Sequence, residues 1–224
     1  MKKTIIICGI WLLLTNIAFA QNAPKGQAVK QKVMEFFGGK KALKKLRKLS
    51  YTLEKGVPNQ ATINDQIWVH FKRKRLKKTF TRKGKTITQY AKKGKAWEGK
   101  GRQKRLLAKA DTKRLTNVFF YNFLAMLKDP KIQWLWLKET TYQDQPVAIV
   151  RVADKTYTLD LFVTPNGKIL TSSTPDNKTG EYEVFADELE YVEIGKGLKF
   201  PLVFKVYSNG MLVYQGRFKD MKVN

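Results

Sequence analysis

Leu198, Phe200, Leu202, Phe204 and Val206 fall at every second position, and Ser208-Asn209-Gly210 then turns the chain into a further extended segment, Met211 to Lys222. A period of two puts such side chains on one face of a strand, and Asn-Gly between two strands is a strong hairpin signal. The pattern recurs along the chain. Tyr157, Leu159, Leu161 and Val163 alternate, and Pro165-Asn166-Gly167 turns into Lys168 to Ser172. Ala61, Ile63, Ile67, Val69 and Phe71 alternate after a turn at Pro58-Asn59, and Lys83-Gly84-Lys85 joins Leu76–Arg82 to Thr86–Tyr90. Lys93-Gly94-Lys95 leads into Ala96-Trp97-Glu98, and Ile132–Leu137, Val147–Ala153, Thr179–Ala186 and Leu189–Ile194 complete the series. Roughly ten hairpin-linked strands describe one antiparallel sheet.

Helical spacing appears in two places. Val29, Val33, Phe36 and Phe37 share a helix face after a short tail, Gln21 to Gly26; Gly38-Gly39 interrupts, and Ala42, Leu43 and Leu46 continue on a second short piece. Mid-chain, Arg102 to Leu127 reads as helix in two pieces meeting near Asp111 to Lys113, and Asp129-Pro130 ends it. The second piece, with Val118, Phe119, Phe120, Phe123, Leu124 and Leu127, is apolar around much of its circumference. Such a helix packs on a sheet or lies over a cavity mouth. A large antiparallel sheet must bury one face, and a half-open barrel does so around a cavity or under helices. The expected fold is therefore mainly β (α+β): a single curled antiparallel sheet forming a half-open β-barrel, with helices covering the concave side.

Residues 1–20 have the parts of a cleavable signal peptide: Lys2 and Lys3, an apolar run from Ile5 to Leu14, and Ala18-Phe19-Ala20 at the cleavage point. The run is too short to span a bilayer comfortably. Cys8 is the only cysteine and lies inside that run, whereas the position after the cleavage point is Gln21. The expected mature chain, residues 21–224, is thus one periplasmic domain without disulfide, thiol nucleophile or lipid anchor, membrane-associated at most by peripheral contact.

Charge is distributed unevenly. From Gln21 to Arg114 there are 29 Lys and Arg against 5 Asp and Glu, and from Leu115 to Asn224 there are 13 against 13. Such asymmetry points to an anionic partner met by one side of the molecule. Lys72, Arg73, Lys74, Arg75, Lys77, Lys78, Arg82 and Lys83, with Leu76 and Phe80 among them, form the densest basic run and the candidate site for anionic membrane or lipopolysaccharide. A solvated basic face is the plainer reading of the same residues. Single-stranded nucleic acid needs a denser aromatic platform, and an exported protein is an unlikely place for it, so no physiological nucleic acid is expected.

Enzymatic chemistry finds little support. His70 is the only histidine, so neither a Cys/His pair nor a His-rich metal site can be assembled. Glu181, Glu183, Asp187, Glu188, Glu190 and Glu193 cluster late in the chain, in the alternation of the wet face of strands. The expectation is a non-catalytic protein, without cofactor or metal, and monomeric.

Several local signatures resemble the outer-membrane lipoprotein carrier and sorting family, the LolA/LolB-like fold. Gly38-Gly39-Lys40-Lys41-Ala42-Leu43 leading to Leu49-Ser50-Tyr51 is similar to the family's passage from helix to first strand. Lys93-Gly94-Lys95-Ala96-Trp97 is similar to its turn before a strand Trp, with Lys93 where Asp is usual. Tyr157-Thr158-Leu159-Asp160-Leu161-Phe162-Val163 with Asn166-Gly167 resembles its central hairpin. Gly195-Lys196-Gly197-Leu198-Lys199-Phe200-Pro201 and Met221-Lys222-Val223-Asn224 resemble its final strands. The resemblance implies a concave interior that accepts acyl chains, a lipid or lipidated protein as client, and a soluble carrier rather than an anchored receptor. It places the family's cavity arginine within Lys72-Arg73-Lys74-Arg75, where the Arg-Pro context is absent. The candidate cavity residues are Trp68, Phe71, Trp97, Phe119 and Phe123. The alternative is a basic surface-binding protein for anionic envelope polymers or membranes, with a filled core.

Overall fold

A computed structural model describes residues 22–57, 60–99, 103–175 and 182–224. The expected signal peptide and the Pro58-Asn59 turn lie outside the described residues. Among the described residues thirteen strands form one antiparallel sheet in the order β6-β5-β4-β3-β2-β1-β13-β12-β11-β10-β9-β8-β7. The first six strands are β1 (Lys48–Gly56), β2 (Ile63–His70), β3 (Arg75–Arg82), β4 (Lys85–Lys92), β5 (Lys95–Glu98) and β6 (Arg105–Leu106). The remainder are β7 (Gln133–Tyr142), β8 (Gln145–Ala153), β9 (Thr158–Val163), β10 (Ile169–Pro175), β11 (Tyr182–Glu193), β12 (Lys199–Ser208) and β13 (Met211–Val223).

The order is a meander interrupted once. Each strand pairs with its sequence neighbour, except that β1 pairs with β13, Leu49 opposite Val223 and Gly56 opposite Gln215. That pairing fuses two meanders into one sheet whose free edges are β6 and β7. The sheet is not closed, as expected of a half-open barrel. Of the expected strand Thr179–Ala186 the part from Tyr182 is described, and it continues through the expected Leu189–Ile194 as one long strand, β11, whose register against β12 shifts between Asp187 and Tyr191. A bulge keeps a curved strand paired while it bends.

The helices bridge the two edges. Residues 22–36 form α1 and Gly39–Lys45 form α2. Helix α1 starts within the expected tail and runs against the β7–β12 half of the sheet. Its Gly26 lies against the Trp134 backbone of β7, and its Lys32 backbone lies against Gly167 of the β9–β10 turn, whose φ of +85° glycine alone adopts freely. Val33 and Phe37 are fully buried there, and each apolar side chain of that size contributes about 1.5–3 kcal/mol on burial. The mid-chain segment gives three short helices, not two: α3 (Lys109–Thr116), α4 (Val118–Tyr121) and α5 (Phe123–Lys128). The breaks fall at Asn117 and Asn122 rather than at Asp111–Lys113. Asn122 leaves the helix at φ −84°, ψ 111°, and its side chain accepts from the Ala125 N–H at 3.1 Å, capping α5. Upstream, Arg105–Leu106 is strand because it pairs with the otherwise open edge of β5.

The main core lies between the concave face and these helices, with Leu49, Val69, Leu76, Leu124, Met126, Val150, Leu161 and Leu198 among its buried members. A smaller cluster, Val147, Ile149, Phe162 and Leu170, forms apart from it. Among the described residues no helix is long and apolar enough to cross a membrane.

Candidate functional site

The core does not fill the concavity. A cavity of about 1060 Å³ remains between β1–β4 and β9–β13 on one side and α3–α5 on the other, at the upper end of the roughly 300–1,000 Å³ range of small-molecule sites. Alternation builds its wall. On β1 Tyr51, Leu53 and Lys55 face inward, and on β2 Ile63, Asp65 and Ile67 do. Phe200, Phe204, Phe218 and Tyr214 from β12 and β13 extend the wall, with ring centroids 5.0 to 5.9 Å apart in a chain that reaches Tyr51. Leu115, Val118, Tyr121 and Phe123 face them from the helices.

The rim is apolar too. Among the described residues the exposed large hydrophobics are Val57, Ile63, Leu106, Tyr121, Met211, Val213 and Tyr214. Five of these, Val57, Ile63, Tyr121, Val213 and Tyr214, line the cavity. A soluble domain rarely leaves such residues together at an opening unless something apolar meets them.

A buried carboxylate interrupts the sheet side of the wall. Asp65 is 2 % exposed and lies on β2 between Lys55 of β1 and Lys78 of β3. Its Oδ2 accepts from Lys55 Nζ at 2.6 Å and from Lys78 Nζ at 3.0 Å. Burial pushes the Tyr51 hydroxyl well above its ordinary range; the neighbouring Asn122 amide opposes the rise and the charge of Asp65 adds to it, so the hydroxyl remains a neutral group. Asn122 is 6 % exposed, and its Nδ2 finds no hydrogen-bond partner among the described residues.

Of the candidate cavity residues, Phe123 lines the wall. Phe71 is buried in the main core, and Phe119 borders a second, smaller hollow with Phe120 and Tyr157. Trp68 and Trp97 lie on the convex face, because strand alternation opposes Trp68 to its inward neighbour Ile67, and Trp97 to the fully buried Ala96. The basic run is divided between two faces and two ends. Lys72, Arg73 and Lys74 are exposed in the β2–β3 turn, outside the lining of this cavity, and Lys74 borders the smaller hollow and pairs with Asp129 at 2.6 Å. Arg75 and Lys77 lie on the convex face of β3, Lys78 points inward, and Arg82 and Lys83 sit at the β3–β4 end. The cations of the cavity are therefore Lys55, Lys78 and Arg114 of α3, not the Lys72–Arg75 segment to which the family's arginine was assigned.

Across the convex face, register aligns Trp68, Lys77, Tyr90, Trp97 and Leu106 in one row from β2 to β6. The adjacent row holds Lys48, His70, Arg75, Lys92 and Lys95. Among the described residues no group of three or more His, Cys, Asp or Glu side chains comes together as a metal site.

No family model matches the sequence, and no curated protein sequence does. Solved structures do match, over almost the whole chain. A LolA-superfamily protein from Nitrosomonas europaea is similar at 14 % identity and a TM-score of 0.61, over 89 % of this chain and 93 % of that one. A putative outer membrane lipoprotein-sorting protein domain from Vibrio parahaemolyticus matches at 12 % and 0.60, over 91 % and 94 %. A DUF1329 family protein from Desulfovibrio piger matches at 10 % and 0.55, over 89 % and 93 %. At these identities the likeness is one of fold, and the fold is LolA/LolB-like.

Proposed function

We propose that this chain is a non-catalytic carrier of the bacterial cell envelope, periplasmic after removal of residues 1–20, that takes the acyl chains of a lipid or lipidated protein into its cavity. The observation that carries this reading is the continuity of apolar surface from the exposed rim at Val57, Ile63, Tyr121, Val213 and Tyr214 into the aromatic wall. An apolar chain entering there removes both its own surface and the rim's from water, at about 25 cal/mol per Å². A cavity of this volume speaks against a filled core serving only surface binding. The lipoprotein-sorting description of the Vibrio protein agrees with a client of this chemistry.

The convex face supports contact with an anionic membrane. Its Trp and Tyr side chains suit an interface that is apolar on one side and wet on the other, and each nearby Lys or Arg adds about 1 kcal/mol at an anionic surface. The test of the carrier reading is native mass spectrometry of purified residues 21–224, followed by solvent extraction. A fatty acid, phospholipid or lipopeptide that stays bound in high salt is the expected result. A lipid-free protein that also fails to take up the neutral fluorophore N-phenylnaphthylamine overturns it.

A further inference from the structure

The cavity wall carries more positive charge than an acyl chain requires. Lys55 and Lys78 share one carboxylate, Asp65, and a single oxygen of it accepts from both. The three side chains together bear a net charge of about +1, set among Tyr51, Ile67 and Phe80. An ammonium has three donors, so each lysine retains hydrogen-bonding capacity beyond the shared oxygen. Their side chains keep 33 % and 25 % of their surface accessible, whereas Asp65 keeps 3 %. The carboxylate is thus enclosed, and the ammonium groups are what a ligand meets.

A second, independent feature points the same way. Asn122 opens α5, and its Oδ1 is engaged by the Ala125 N–H. That bond fixes the amide orientation, leaving Nδ2 buried and unpartnered among the described residues, on the cavity wall. The Tyr51 hydroxyl is its neighbour on the sheet side of the cavity. A buried donor without an acceptor is unfavourable unless a bound group completes it. Lysine donors on the sheet and an amide donor on the helices therefore look for an acceptor inside an otherwise apolar space.

We propose that the cavity selects an amphiphile with an acidic head, a carboxylate or a phosphate, held by Lys55 and Lys78 with Asn122 Nδ2 as an additional donor, while its chain lies along the aromatic wall. The proposal rests on the carrier reading and narrows it. Asp65 has two parts in it: it holds the lysines in place in the empty cavity, and it keeps the net charge low enough for a ligand to leave.

The test uses two chain-matched pairs, each differing only in the acid: palmitate against hexadecanol, and lysophosphatidate against monoacylglycerol. Each competes with N-phenylnaphthylamine for the wild-type protein. The acid of at least one pair is expected to bind tighter by about tenfold or more, the scale of a lost charge-assisted hydrogen bond, and the pair with the larger ratio identifies the head group. Lys78→Met and Lys55→Met are each expected to lower that acid-to-neutral ratio severalfold. Asn122→Asp, which keeps the cap on α5, is expected to lower it as well. Equal binding of acid and neutral partner by the wild type overturns the proposal and leaves the carrier reading standing. Failure of all four ligands and of the fluorophore to bind overturns both. The wild-type ratio needs no variant, so misfolding of a substituted protein cannot blur the outcome.

Discussion

Arg151 on β8 and Asp160 on β9 face each other across the sheet as a two-pronged ion pair, Nε to Oδ1 and Nη2 to Oδ2 both at 2.8 Å, with Asp160 fully buried. The arginine fork matches the carboxylate in a way lysine cannot. Removing one partner takes two charge-assisted hydrogen bonds from the other. Because Arg151 is partly exposed, the loss is expected below the 3–5 kcal/mol of a fully buried pair, at about 2–3 kcal/mol for Asp160→Ala. Arg151→Lys is expected to fall between Asp160→Ala and wild type in urea denaturation. Equal stability of wild type and Asp160→Ala would show the pair to be dispensable.

Gly26 sets the seat of α1. A Cβ at this position would meet the Trp134 backbone, with the carbonyl carbon at 2.7 Å. Alanine improves helix propensity by about 1 kcal/mol, but forced overlap with backbone costs about 1–3 kcal/mol. The clash wins because neither partner is a flexible side chain. Gly26→Ala is expected to lower the thermal midpoint, and a raised midpoint would mean that α1 docks elsewhere.

Gly216 of β13 is paired with Phe204 of β12, whose ring lies over it, and Leu53 Cδ1 would be 3.2 Å from an added Cβ. A side chain here must push the Phe204 ring toward the cavity. Gly216→Val is therefore expected to keep the protein folded while weakening palmitate and N-phenylnaphthylamine alike by severalfold. Unchanged binding of both would place the ligand away from this wall.

His70 is the sole histidine, so its ring-proton signal in NMR is unambiguous. Burial, followed by the charges of Arg73, Lys48 and Arg75, holds its imidazole below the ordinary value, which is about 6.5. Its Nδ1 accepts from the Arg73 N–H at 3.3 Å, a bond open only to the unprotonated nitrogen. Below about pH 6.5 the unfolded chain takes up the proton before the native state does, so this contribution to stability is present above that pH and is lost as pH falls through it. The expected titration midpoint lies below about 6.5 and rises with added salt as the cations are screened. A midpoint at or above the ordinary value would contradict the placement of the three cations.

On the convex face, Lys77→Glu and Trp97→Ala test membrane contact by sedimentation with phosphatidylglycerol vesicles. Lys77→Glu reverses one charge, and each charge contributes about 1 kcal/mol at such a surface, so its binding is expected to drop by about tenfold or more at low salt. Trp97→Ala is expected to reduce the part of the binding that persists in high salt. Undiminished binding by both variants would move the contact to another face.

Much of the cavity wall was legible in strand parity, whereas of the aromatic candidates Trp68, Phe71, Trp97, Phe119 and Phe123 only Phe123 lines it. Ile63, Ile67 and Val69 mark the inward positions of β2, so position 65 is inward as well, and an aspartate in that series is the anomaly that signals a site. Parity likewise separates Trp68 from Ile67 and puts Lys78 with Leu76 and Phe80 rather than with Lys77. Grouping the cations by sequence proximity hid this, because neighbours on a strand point to opposite faces. Lys55 shares the parity of Leu49, Tyr51 and Leu53, but its partnership with Asp65 depends on the register of β1 against β2. The breaks at Asn117 and Asn122 were likewise hidden, since an asparagine within an apolar helical run reads as an exposed position; only Asn122 caps the helix that follows it with its side chain.

By itself the amino-acid sequence determined the hairpins, the alternation and the uneven charge, because each is encoded within a few residues by backbone stereochemistry and side-chain polarity. From these follows a curled antiparallel sheet with helices on one side. Only the tertiary structure decided that β1 pairs with β13, that the helices stop short of filling the concavity, and that Lys55, Asp65 and Lys78 meet on the sheet side of the cavity that Asn122 borders from the helices. Those are contacts between residues far apart in the chain. Their register depends on how the whole sheet bends, and no local pattern carries that information.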